Sequence, residues 1–279
     1  MLLSEHTVSV NGYAVHYWQA GDPQHRPVVL LHGMFGDAYT QWAEVILLLA
    51  EDYYVLAPDL PGFGQSVPLP DMSLPALLEW LQALYAALTL DSAVVIGSAF
   101  GALLGRLLAA DSPALVPALV MVNGGVIPQS PALAKFVARL PLVGGVLFQR
   151  IAARTSQRSA LEDALHQTSV LTPALMAQID ANRGGLARLM RALTLSPIPA
   201  AQTPAVPVLL LWGESDGISP PKVAAYIAKS IPGARQSIIA ETGHLPHVEA
   251  PEVFVAQVNL FLNQLNRGRR GAGVAPLKL

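Results

Sequence analysis

Short runs of apolar residues recur along the chain, and most are separated by segments long enough to form a helix. They lie at 28–31, 53–57, 93–96, 119–122, 208–211 and 237–239. Each run is too short for a helix, and continuous apolar runs of this length are typical of strands buried on both faces of a parallel sheet. With helix-length segments such as 74–90 between them, they predict an α/β fold with a doubly wound, mostly parallel sheet.

The chain opens with two β-prone runs, 7–10 and 13–19, which are joined by Asn11-Gly12. This dipeptide tolerates the positive φ angles that a tight hairpin turn requires. The pattern therefore predicts an antiparallel hairpin before the first buried strand.

The alternation of strands and helices is interrupted between 126 and 207. Apolar residues recur there at helical spacing, as at Leu186, Leu189 and Leu193. We therefore predict a core of residues 1–127 and 204–266, with a helical cap at 128–203 inserted over the carboxyl ends of the strands. The Gly- and Arg-rich segment 267–279 has no periodicity and is expected to be a flexible basic tail.

Composition restricts the chain to one large core, because 52% of its 279 residues are hydrophobic and 13% are charged. There is no cysteine, so disulfides and thiolate metal sites are excluded. The first ten residues lack the pattern of a signal peptide, and no apolar stretch approaches the roughly 20 residues of a membrane span. We expect a cytoplasmic protein.

Charge is distributed unevenly along the sequence. Residues 1–127 carry two basic and eleven acidic groups, whereas 128–203 carry eight basic and three acidic groups. Arginines spaced along helices usually form a solvated face, so we expect Arg150, Arg154 and Arg158 to face solvent. The pattern does not indicate a nucleic-acid partner.

The strand predicted at 93–96 leads into Gly97-Ser98-Ala99-Phe100-Gly101, and a helix-forming stretch follows. This is the strand-turn-helix context of the nucleophile elbow G-x-S-x-G. Alanine occupies the position of the nucleophile. Ser98 cannot replace the missing serine, because a neighbouring position on so tight a turn projects its side chain in another direction.

Four further strings support this interpretation: HGMFGD from residue 32, DLPGFGQS from residue 59, LWGESD from residue 211 and TGH from residue 242. Together with the elbow, they resemble the signatures of the α/β-hydrolase superfamily, in the order nucleophile, acid, histidine. The resemblance covers residues 1 to about 266, apart from the predicted cap.

The resemblance implies a role for each matching residue. Asp216 would orient the imidazole of His244, which would act as the base for a nucleophile at position 99. The backbone N–H groups of Met34 and Phe100 would form the oxyanion hole. Glu214 is an alternative acid and His247 an alternative base. The two histidines have no third ligand at suitable spacing, so we expect neither a metal nor a cofactor.

The alanine has competing explanations. The chain is a serine hydrolase inactivated by replacement of its serine, or it is a natural pseudoenzyme or ligand-binding protein. His244 with Asp216 could also act as a general base without a nucleophile. A parent aspartate, as in dehalogenases and epoxide hydrolases, is a further possibility.

The predicted cap is rich in apolar residues, so we expect an apolar pocket that takes a small-molecule acyl or aromatic ester. The residues predicted to bind substrate are Phe35, Phe136, Leu140 and Phe148. Ester, thioester, lactone and carbon–carbon bond cleavage all remain open.

Overall fold

The computed structural model describes residues 2–126, 129–200 and 202–271. Its strands are β1 (Ser4–Val10), β2 (Tyr13–Ala20), β3 (Arg26–Leu31), β4 (Tyr53–Pro58), β5 (Val94–Ser98), β6 (Leu119–Val122), β7 (Val208–Gly213) and β8 (Arg235–Ile239). Its α-helices are α1 (Ala38–Leu49), α2 (Leu74–Ala87), α3 (Phe100–Asp111), α4 (Ala132–Arg139), α5 (Pro141–Thr155), α6 (Arg158–Glu162), α7 (Pro173–Ala181), α8 (Arg183–Leu195), α9 (Lys222–Ser230), α10 (Pro246–Glu249) and α11 (Pro251–Gly271).

The strands form one sheet in the order β1-β2-β4-β3-β5-β6-β7-β8. Strands β3 to β8 are parallel, and β1 and β2 are antiparallel to their neighbours. The predicted mostly parallel sheet is therefore confirmed. The opening hairpin is also as predicted, with Asn11 at φ 51° and Gly12 at φ 85°.

Both faces of the sheet are covered by helices, which explains why the strand sequences are continuously apolar. In β3, Val29 and Leu31 point into the core formed with α2, α3 and α9. Val28 and Leu30 point into the core formed with α1 and α11. Because successive side chains of a strand point to opposite faces, a strand covered on both sides has no polar position.

Helices occupy the described part of 129–200, between β6 and β7. Helices α4, α5 and α7 each pack against α8. The buried residues Leu186, Ala187 and Leu189 of α8 join the core on the α2 and α3 face of the sheet. Helix α8 thus attaches the helices of this segment to the rest of the molecule.

The basic segment after Arg267 begins as helix. Helix α11 continues to Gly271, where the sequence predicts no periodic structure. A helix already packed on the sheet extends at little cost, because each added residue gains a backbone hydrogen bond and arginine is a good helix former. The rest of the predicted tail, 272–279, lies outside the described residues.

Over the residues described here, no single helix is long and apolar enough to cross a membrane. The helices 132–139 and 142–155 meet that test only as a pair, and they are bent by 111° relative to each other.

Helix α3 lies close to the sheet because its second residue is glycine. A Cβ atom on Gly101 would lie 2.1 Å from the carbonyl oxygen of Leu31, at the end of β3. No real Cβ comes so near a backbone atom, so the helix or the strand would have to move.

We predict that Gly101→Ala destabilises the protein by on the order of 3 kcal/mol, since it overpacks a backbone contact. Gly145→Ala is the matched control: Gly145 lies within α5, and a Cβ there has no neighbour within 4 Å. It should stabilise the helix by up to about 1 kcal/mol. Urea unfolding of both variants checks this, and equal stability of the two would contradict the close approach.

Candidate active site

Ala99 lies at the sharp turn between β5 and α3. Its backbone is at φ 48° and ψ −103°, a conformation that non-glycine residues rarely adopt and that costs about 1–3 kcal/mol. Two backbone hydrogen bonds hold the turn: the Ala99 N–H donates to Val122 O at 2.8 Å, and Leu103 N–H donates to Ala99 O at 3.3 Å. None of these constraints involves the side chain of residue 99.

Gly124 approaches the turn closely. A Cβ atom on Gly124 would lie 2.4 Å from the Ala99 Cα atom. Ala99 itself lines a cavity, whereas Ser98 is fully buried and does not line it. The Ser98 hydroxyl is therefore not available to the cavity in the way that a hydroxyl at residue 99 would be.

His244 and Asp216 form a buried pair beside the same cavity. The Nδ1 atom of His244 lies 3.0 and 2.9 Å from the two carboxylate oxygens of Asp216. Oδ1 of Asp216 also accepts hydrogen bonds from the N–H groups of Ile218 and Ser219 at 2.8 and 2.9 Å. Nδ1 can therefore carry the proton of a neutral imidazole, which leaves Nε2 as the proton acceptor.

The alternative acid and base lie elsewhere. Glu214 is exposed, and its carboxylate accepts the Glu241 N–H at 3.4 Å. His247 is buried away from Asp216, with its ring stacked on Trp42 at 4.1 Å between centroids. Within the described ranges, no group of three His, Asp or Glu side chains could hold a metal ion.

The loop that follows β3 carries Met34, which lines the cavity together with Phe100. The side chain of Gln41 holds this loop at two points. Its Oε1 accepts the Gly33 N–H at 2.8 Å, and its Nε2 donates to Phe35 O at 2.5 Å. These two bonds hold the backbone at the residues before and after Met34.

Sequence reasoning missed Gln41. The available signal was a polar residue on the apolar face of α1, where Ala38, Trp42 and Val45 are buried. A buried amide in such a position needs hydrogen-bond partners. Here it finds them in the loop.

Buried polar side chains also fix the loops that carry the acid and the histidine. Asn123 accepts the Gly213 N–H through Oδ1 at 2.9 Å and donates through Nδ2 to Gly243 O at 2.8 Å. Glu249 accepts the N–H groups of Gly243 and Leu245 at 2.9 and 3.2 Å. Hydrogen bonds to these side chains thereby hold the backbone on both sides of His244.

A second cluster of buried polar side chains, formed by Asp59, His16 and His32, contacts the loop after β3 and the start of α1. Asp59 accepts the Ala38 N–H at 2.9 Å and binds His16 Nδ1 at 2.9 Å. The hydrogen bond to Asp59 raises the pKa of His16 above its usual value. The ring of His32 bridges Gly33 O and Leu60 N at 2.6 and 2.9 Å, which is a structural role.

The cavity has a volume of about 480 Å³ and is mainly apolar. Its walls include Phe35, Leu103, Leu186, Met190, Leu193 and Leu245. His244 is the only ionisable side chain among the described residues that line it.

Of the four residues predicted to bind substrate, the structure brings only Phe35 to the cavity, where its ring lies 6.5 Å from that of His244. Phe136, Leu140 and Phe148 do not line it. Phe136 is exposed and Phe148 packs into the core, because α4 and α5 pack against α8. Helix α8 supplies the wall instead. Arg150, Arg154 and Arg158 are exposed, as expected.

Comparison with known proteins identifies the fold family. Residues 26–251 match a family model described as the alpha/beta hydrolase fold. A pimeloyl-[acyl-carrier protein] methyl ester esterase from Pectobacterium carotovorum is 28% identical over 264 residues, which cover 89% of this chain and 98% of the relative.

Solved structures share the fold. A bacterial membrane phospholipase A superposes with a TM-score of 0.76 at 25% identity, covering 94% of this chain and 86% of the other. A thermophilic esterase from Thermogutta terrifontis superposes with a TM-score of 0.75 at 23% identity, covering 94% and 98%.

His247 is a histidine beside the site whose protonation opposes folding. It is fully buried, and neither ring nitrogen has a hydrogen-bond partner among the described residues. Burial, with a smaller effect of His244, lowers its pKa from 6.5 to about 3. The unfolded chain therefore binds a proton at His247 between pH 6.5 and 3 that the folded chain does not.

We predict that His247→Leu reduces the loss of stability on acidification. In the parent chain this residue removes up to about 1.4 kcal/mol per pH unit as the pH falls below 6.5, and nothing above that pH. Unfolding free energies measured in urea between pH 7 and 4 check this. His6→Leu, at an exposed position on β1, is the control and should keep the parental change of unfolding free energy with pH. If the unfolding free energy of His247→Leu changed with pH as in the parent, the His247 ring would not be the source of the acid-induced loss of stability.

Proposed function

This chain belongs to the α/β hydrolase fold family, and we propose that it is a serine-hydrolase-type protein for apolar esters whose nucleophile position holds alanine. The observation that carries the proposal is the positive-φ turn at Ala99, which lines the same apolar cavity as His244, whose ring is paired with the buried Asp216. We propose that the chain as it stands binds an ester and hydrolyses it little, because the attacking oxygen is missing.

The reaction follows from the roles of the groups when residue 99 is serine. The serine oxygen attacks the carbonyl carbon while Nε2 of His244 takes the hydroxyl proton, and the N–H groups of Met34 and Phe100 stabilise the negative oxygen. His244 then gives the proton to the leaving alcohol as the ester bond breaks. In the second half, His244 deprotonates a water molecule that attacks the acyl carbon, and it returns this proton to the serine oxygen as the acyl–serine bond breaks and the acid leaves. Asp216 stabilises the imidazolium in both halves.

The conformation of Ala99 favours this proposal over a site that never held a nucleophile. Left-handed backbone at alanine costs free energy, and strain of this kind clusters at active sites. The hydrogen bond to Val122 O and the contact with Gly124 maintain the turn without a side-chain oxygen. A hydroxyl added at residue 99 would therefore enter a turn that is already formed.

The lining of the cavity supports an uncharged, apolar substrate. Apart from His244, the described lining carries no ionisable side chain that could pair with a charged group. The name of the Pectobacterium relative, a methyl ester esterase, supports an ester bond. We propose that α8 acts as the cap over the acyl chain, since it contributes Leu186, Met190 and Leu193 to the wall.

A second candidate is general-base chemistry by His244 and Asp216 without a nucleophile. It is favoured by one observation: the pair is fully formed in this chain although residue 99 is alanine. The two proposals differ in their dependence on residue 99. Nucleophilic catalysis needs a hydroxyl there, whereas general-base catalysis does not.

We predict that Ala99→Ser raises the hydrolysis of p-nitrophenyl hexanoate by at least about 10⁴-fold, given that loss of a nucleophile costs on the order of 10⁶ in kcat. The variant should also be labelled by a fluorophosphonate, and the parent should not. Ser98→Ala in the same background is the control and should keep the activity. A folded Ala99→Ser protein with neither turnover nor label would refute the proposal.

We predict that Gln41→Met, in the Ala99→Ser background, lowers kcat by about 10²-fold, as expected for a weakened oxyanion hole. KM should change little, because the apolar wall is intact. Gln41→Glu keeps the acceptor for Gly33 N–H and should lose less. Glu44→Met, an exposed change one turn along α1, should leave kcat unaltered. If Gln41→Met raised KM at constant kcat, Gln41 would be acting in substrate binding rather than in positioning Met34.

A further inference from the structure

Helices α4 and α5 expose a group of large apolar side chains to solvent. We call this group the α4–α5 apolar face; its members are Leu133, Phe136, Leu142, Val143, Val146 and Leu147. Leu133, Phe136 and Leu142 are 74%, 60% and 84% exposed. Isolated exposed apolar residues need no explanation, but six of them on two helices that contact each other indicate an interaction surface.

The spacing of these residues makes each helix amphipathic. Leu133 and Phe136 are three residues apart on α4, and on α5 Leu142 and Val146 are four apart, as are Val143 and Leu147. Residues at these spacings share one face of a helix. The opposite sides of both helices are buried, at Ala138 on α4 and at Phe148 and Ala152 on α5.

Four cationic side chains lie on the same two helices, and we call them the basic border. They are Lys135 and Arg139 on α4 and Arg150 and Arg154 on α5. In the described part of the chain none of the four forms a salt bridge, so their charges are uncompensated locally. An apolar face with a basic border fits an anionic lipid surface, where apolar side chains enter the acyl boundary and arginines contact the headgroups.

We propose that the α4–α5 apolar face binds the surface of an anionic phospholipid bilayer. The binding requires no step at Ala99 and is independent of the proposed hydrolysis. Thr155, at the end of α5, and three apolar residues of α8, which packs on α5, line the cavity. A bilayer bound here would therefore lie beside the helices that enclose the site.

Charge decides against a second copy of the chain as the occupant. In a symmetric dimer through this face, the same patch meets itself, so the basic borders of the two copies would face each other. Like charges brought together at an interface cost free energy. An anionic bilayer turns the same charges into a favourable contact.

Co-sedimentation of the full chain with vesicles tests the proposal. We expect binding to vesicles of palmitoyl-oleoyl-phosphatidylglycerol, and at least roughly tenfold weaker binding to phosphatidylcholine vesicles or at 1 M salt. Phe136→Glu with Leu142→Glu should reduce binding to the anionic vesicles by more than about tenfold, since it removes apolar insertion. Leu260→Glu, at an exposed position on α11, is the control and should bind like the parent.

Charge reversal tests the basic border separately. Arg150→Glu with Arg154→Glu should weaken binding by more than about tenfold, whereas Lys222→Glu with Lys229→Glu on α9 should weaken it much less. Circular dichroism and thermal melts identify any variant that fails to fold. A Phe136→Trp variant adds a direct readout, because its fluorescence should be quenched by brominated lipid if this face inserts.

Three results would overturn the proposal. The parent chain could fail to bind anionic vesicles, or the variants on α4 and α5 could bind as well as the controls on α9 and α11. The α4 and α5 variants could instead abolish a concentration-dependent dimer seen by analytical ultracentrifugation while vesicle binding stays unchanged. That last result would assign the face to a second copy of the chain.

Discussion

The site depends on one backbone constraint, the left-handed turn at Ala99. A strand that ends at Ser98 and a helix that begins at Phe100 leave a single residue to reverse the chain. The turn is sharp enough that α3 must approach β3 at Gly101, where no Cβ fits. Its strain of about 1–3 kcal/mol is offset by the packing of the strand and helix on either side. The position of residue 99 is therefore set by the fold.

The groups around the turn are held by buried polar side chains that do no chemistry. Gln41 fixes the loop of Met34, and Asn123 bridges the strand before Asp216 to the loop of His244. Each of these amides uses both its donor and its acceptor on backbone groups. A buried amide left unpaired would cost about 1–3 kcal/mol, so these networks resist rearrangement as well as stabilise one geometry.

The sequence was informative where the physical rule is local. Strands covered on both faces must be apolar, which is why β3 to β7 could be located from apolar runs, and the Asn11-Gly12 hairpin followed from the φ angles it allows. Helix orientation in the segment between β6 and β7 is not a local property. Phe136, Leu140 and Phe148 are apolar, as residues of a pocket wall often are. The residues that line the cavity come from α8 instead, because α8 packs on the core. The role of Gln41 could not be predicted from the sequence, because it consists of two hydrogen bonds to the backbone of a loop.

Alanine at position 99 separates the geometry of the site from the capacity to form a covalent bond, which active sites usually combine. The geometry of the site, including the turn, the His244–Asp216 pair and the loop of Met34, persists without the hydroxyl, because backbone bonds and buried amides hold it. On the proposed function, the absence of a hydroxyl at residue 99 removes only the capacity to form a covalent bond. Preorganisation is the larger part of what a fold supplies to catalysis, since it places dipoles and bases before charge develops. On the proposed function, a chain that keeps this arrangement retains the means to bind and orient an ester even where it cannot attack one.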